Sequence, residues 1–129
     1  MKKIEWKAYS KQNFMAKIKH SHEEYNEHKR TGQVIYLQQA CGKLFSAVEN
    51  YLMVKYKQRR YSYGSLIQLI SNNEKDRTLL NDAVQLHYFY YNGETHFLRS
   101  VADKIYTIVR RKMLNRINKK GIGSKKVGR

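Results

Sequence analysis

Apolar side chains recur along this chain at alternating intervals of three and four, the period of a helix lying against a core. The clearest run is Val34, Leu37, Cys41, Leu44, Val48 and Tyr51, widened by Ala40, Phe45, Ala47 and Leu52. It predicts a helix over 33–55 that faces more than one neighbour. Phe14, Ile18 and Tyr25, with Ser21 and His22 in the turn between, predict an earlier helix over 10–30, closed by Thr31-Gly32 and lidded by Trp6. A short helix is expected over 65–71, burying most of Leu66, Ile67, Leu69 and Ile70 and broken by Asn72-Asn73. A fourth, over 76–91, takes Asp76 as its cap and carries Leu79, Leu80, Ala83 and Leu86. A fifth, starting at Thr95 as cap and ending near 118, repeats the stripe in Leu98, Val101, Ile105, Ile108, Val109, Met113 and Ile117. No stretch alternates with a period of two. The pattern therefore predicts an all-α protein, an antiparallel four- or five-helix bundle over 1–118 with a basic C-terminal tail over 119–129. That tail is too polar and glycine-rich to fold alone, and is expected to order only along a phosphate backbone.

Composition narrows this picture. A chain of 129 residues suits one domain, and its complete lack of proline favours long helices. One cysteine, Cys41, excludes an internal disulfide; beside Gly42 on the apolar face, it reads as a small buried residue. No apolar run approaches a membrane span, and the opening Met1–Trp6 has lysines without an apolar stretch behind them. A cytoplasmic protein with no membrane partner is the expectation.

Charge changes the picture most. Twenty-six Lys and Arg face ten Asp and Glu, a net charge of +16. Such an excess attracts polyanions through counterion release, and nucleic acid is the commonest in a cell. The charge is clustered: no acid follows Lys104, while Lys104, Arg110, Arg111, Lys112, Arg116, Lys119, Lys120, Lys125, Lys126 and Arg129 are all cationic. A second cluster, Lys55, Lys57, Arg59 and Arg60, is interleaved with Tyr56, Tyr61 and Tyr63, rings able to stack on exposed bases.

Candidate chemistry is sparse. A glycine-rich phosphate loop, a nucleophile elbow, an HExxH motif and a carboxylate cluster are all missing. Glu24 and His28 stand four apart on a helix but lack further metal ligands, so they read as a surface pair; no metal and no cofactor are expected. The stretch Ala83–Thr95 is the exception. His87 and Tyr91 share a helical face there, and Asn92-Gly93 stops the helix.

Two segments carry a family resemblance. Gln38–Leu52 resembles the second helix of the HEPN superfamily (higher eukaryotes and prokaryotes nucleotide-binding domain). Ala83–Glu94, with A-V-Q-L-H-Y-F-Y-Y, is similar to the A-x-x-L-H-x-x-F-Y segment of its archaeal PaREP1-like branch. The resemblance spans roughly Tyr9 to Ile117. It implies a HEPN-like bundle, often a homodimer, in a group rich in metal-independent ribonucleases, some of them toxins of toxin–antitoxin pairs. Other members partner small nucleotidyltransferases. The ribonucleases place an arginine before the histidine with four to six residues between them. With His87 in that role, the arginine's place falls to Asp82, Asn81 or Leu80. Arg77 has nine residues between it and His87, too many for the motif. Neutral Asn81 is a poor substitute for guanidinium on a phosphate gaining negative charge.

Together these readings predict a non-enzymatic, HEPN-like protein that binds nucleic acid, RNA in preference to DNA, through its cationic last helix, the tail and the 55–63 connection. Two alternatives accompany it. One is an endoribonuclease using His87 as general base, with Asn81 and Tyr91 beside it. The other is an interaction module for a nucleotidyltransferase.

Overall fold

The computed structural model describes the backbone of residues 3–57, 63–95 and 98–118 and the side chains of 12–57, 64–95 and 98–117. Trp6, Arg59, Arg60, Tyr61 and the whole 119–129 stretch lie outside these described side chains. The helices are α1 (Lys3–Thr31), α2 (Val34–Lys55), α3 (Tyr63–Ile70), α4 (Glu74–Asn92) and α5 (Arg99–Asn118), with a 3-10 turn at Gly93–Thr95.

Local chemistry sets most of the boundaries. Gly32 at φ +75° lets the chain leave α1, its N–H donating to the His28 carbonyl at 2.8 Å. The fourth helix begins two residues before the expected start, because Asn73 is its cap: the Asn73 side-chain oxygen accepts from the Asp76 N–H at 3.0 Å. Asp76 itself is fully buried, which corrects its reading as a cap. Thr95 does not cap α5 either. Its hydroxyl donates to the Asn92 carbonyl at 2.7 Å and so closes α4, while the Leu98 carbonyl receives the first α5 amides.

Direction follows from contacts near the helix ends. Lys55 of α2 bonds Asp76 at the start of α4, and Gln38, near the start of α2, donates to the Tyr90 carbonyl near the end of α4 at 3.2 Å. These helices are therefore antiparallel. Asp82 with Lys112 and Asp76 with Arg116 set α5 antiparallel to α4. Tyr25 with Asp103 and Gly32 with Arg99 set α1 antiparallel to α5. The result is an up-down-up-down bundle centred on α2, with α3 packed on α4.

The core follows the α2 stripe: Leu37, Ala40, Cys41, Leu44, Ala47, Val48 and Leu52 have no exposed surface. Burial pushes the Cys41 thiol well above its ordinary range. On α5 the expected stripe holds in its second half, at Val109, Met113 and Ile117, and is rotated in its first. Ala102, Tyr106, Val109, Met113 and Ile117 are buried, whereas Leu98 is 71% exposed and Val101 41%. Tyr106 causes the rotation. Its ring stacks on Tyr25 at 4.6 Å and its hydroxyl lies 3.0 Å from the buried Ser21 oxygen, so a residue with a polar tip occupies the α1–α5 seam. In α3, Leu66 and Ile70 are buried and Leu69 is 45% exposed.

Candidate nucleic-acid interface

Asp76 holds one end of the bundle together. Its carboxylate accepts from Lys55 Nζ at 2.8 Å and from the Tyr56 hydroxyl on one oxygen, and from the Arg116 guanidinium on the other. Burial pushes this carboxyl's pKa up. The hydrogen bonds from Lys55, Tyr56 and Arg116 outweigh that push and hold it below the usual carboxylate range. Burial and the bond to Asp76 push the Tyr56 phenol up to about 12. Three helix ends thus meet on one buried anion: the C-terminus of α2, the N-terminus of α4 and the C-terminus of α5.

Three residues of the expected interface share this acid. Lys55 and Arg116, expected to reach phosphates, direct their charge inward to Asp76. Tyr56, expected to stack on bases, is bound to the same acid. Sequence reasoning missed the role of this anchor, which ties the two cationic clusters together. Lys57 lies two residues beyond Lys55, and α5 ends two residues beyond Arg116. Lys57 and the end of α5, separated by half the sequence, therefore lie at the same pole of the bundle.

At that pole a polar hollow of about 720 Å³ opens between α4 and α5, its walls including Asn72, Asn73, Lys75, Thr78, Lys112 and Asn115. Lys75 is exposed, Lys112 stands 3.6 Å from Asp82, and Glu74 is the one acid on the lining. Around it Lys57 and Arg77 are exposed, and neither forms an ion pair among the described residues. Lys104 and Arg111, seven residues apart and hence on one face of α5, are also exposed and unpaired among the described residues. Arg110 points elsewhere, into a groove shared with α1.

His87 occupies a different place. It lines a groove of about 480 Å³ across α1, α2 and α4, with Lys17, His20, Lys43, Glu49 and Tyr90 also on its walls. Its ring packs on Phe45 at 4.3 Å and meets the edge of Tyr91, itself 68% exposed, at 4.7 Å. Burial holds His87 below the ordinary histidine range, so the ring is neutral at pH 7. Gly42 makes the wall possible: a methyl group there would stand 2.6 Å from the Tyr90 ring.

The groove cations, Lys17 and Lys43, were not singled out from the sequence. Lys17 donates to the Ser46 hydroxyl at 2.7 Å, and Lys43 lies 3.7 Å from Glu24. Asn81 is exposed, about 120° around α4 from His87, and does not line the groove. Arg99 is held by the Gly32 carbonyl and by Glu94. Among the described residues no arginine lines this groove.

His28 is corrected too. It does not form a surface pair with Glu24 but is buried, with neither ring nitrogen hydrogen-bonded. Among the described residues no three His, Cys, Asp or Glu side chains gather as a metal site, and no helix is long and apolar enough to cross a membrane. Comparison with protein-family models, with curated proteins and with solved structures gave no match.

Proposed function

We propose that this chain is a non-enzymatic nucleic-acid-binding protein, HEPN-like in architecture, that takes RNA in preference to DNA at the Asp76 pole. One observation supports the reading above others: a buried carboxylate draws together three helix ends, and with them Lys55 and Arg116, members of the two sequence-distant cationic clusters. The hollow at that pole adds Lys75 and Lys112 for phosphates and the Asn72, Asn73 and Asn115 amides for base edges or 2′-hydroxyls. The His87 groove offers a neutral imidazole, but among the described residues no guanidinium stands on its walls. A base without a free guanidinium favours binding over cleavage.

The test is a salt titration with single-stranded RNA. Each phosphate neutralised contributes a slope of about −0.7 in log K against log salt, so six contacts lower affinity roughly 300-fold between about 50 and 200 mM. The RNA is expected to be recovered intact. A flat salt dependence, or no binding at low salt, sinks the proposal; cleavage lost in His87→Ala moves the chain to the ribonuclease reading.

A further inference from the structure

A second groove, of about 410 Å³, lies between α1 and α5, away from the hollow and from His87. The α1–α5 seam closes where Tyr106 stacks on Tyr25 and opens beyond Arg110. Met15, Ile18, Leu114 and Ile117 make its walls apolar, and Met15 is 44% exposed. Arg110 stands on the wall with no ion pair among the described residues, and its Nε is buried without an acceptor. The Nδ1 of His22, on the facing helix, is buried and equally without a partner. Lys19 adds a positive charge and Glu23 a negative one, leaving the groove net cationic with Arg110. A guanidinium left uncompensated beside an apolar trough is complementary to one kind of ligand, an anion with a hydrocarbon tail.

We infer that this groove binds a medium-chain carboxylate, its head on the Arg110 guanidinium and its acyl chain along Leu114, Ile117, Ile18 and Met15. Arg110 and Ile117 are seven residues apart, about 10 Å along the helix, which matches a chain of roughly eight to ten carbons. The volume lies in the range of small-molecule sites. His22 lies below the ordinary histidine range, through burial first and the neighbouring Arg110 second, so it contributes a polar atom and no charge at pH 7.

Calorimetric titration of the full chain with decanoate tests the assignment, with decyltrimethylammonium as the cationic counterpart and circular dichroism as the folding control. Decanoate is expected to bind with a Kd on the order of 0.1 mM. Arg110→Gln is expected to weaken it about tenfold. Arg111→Gln, the same charge loss one residue on and outside the groove, is expected to leave it unchanged. Leu114→Trp, which fills the trough, is expected to abolish it. Equal losses in the two arginine variants reduce the effect to the general positive charge and overturn the site. Binding of the cationic amphiphile as tightly as decanoate, or no decanoate heat at all, overturns it as well. A dimer in sedimentation that decanoate dissociates assigns the groove to a second copy of the chain and likewise overturns it.

Discussion

Asp76→Ala is expected to destabilise the fold by about 3 kcal/mol, the cost of leaving partly buried cationic partners without their anion. Lys55, Tyr56 and Arg116 each lose an acceptor at once, and Arg116 also sits over the Tyr51 ring. The melting temperature should fall by roughly 10–20 °C. Acid should reveal the same group. The Asp76 carboxyl lies below its ordinary value in the folded chain, so its contribution is complete above the unfolded pKa of about 3.9 and disappears as pH falls through the folded value. Asp76→Asn should flatten that part of the acid limb. Urea melts across acidic pH measure both effects, and an Asp76→Ala protein within about 1 kcal/mol of the parent contradicts the account.

Removal of residues 119–129 is expected to produce the largest loss of RNA affinity. The segment carries Lys119, Lys120, Lys125, Lys126 and Arg129. At a slope of about −0.7 per contact, each contact contributes about a factor of five near 0.1 M salt, so five together contribute roughly 3 × 10³-fold. The slope itself should shrink by about 3.5, and the loss should be uniform across RNA sequences, because phosphate contacts carry no base information. Lys75→Ala with Lys112→Ala in the truncated chain should remove a further factor of about 25. Fluorescence anisotropy at several salt concentrations gives both affinity and slope. A truncated chain that binds as the full chain does assigns the grip to another face.

Much of the bundle was legible from spacing alone, because core positions on α2 repeat with helical period and are all apolar or small. Where a polar atom is buried, the same reasoning failed. Tyr106 carries a hydroxyl that hydropathy counts against burial, yet Ser21 satisfies it, and the first half of the α5 stripe turns to suit. Asp76 at a helix start looks like a cap, and only three partners from two other helices reveal a buried anchor. Those partners are 20, 21 and 40 residues away in the chain, so no local pattern contains them. The clustering of cations was visible at once; that Lys55 and Arg116 share one buried acid was not, since it depends on helix order and direction.

Cys41 has a consequence of another kind. Its sulfur sits at the centre of the most crowded helix, with no exposed surface and its thiol strongly disfavoured from ionising by burial. Alkylating reagents attack the thiolate, so they can reach this atom only through molecules whose interior has opened. The chain thereby contains its own clock for global opening: one chemical label, one position, and a rate governed by how often α2 loses its neighbours.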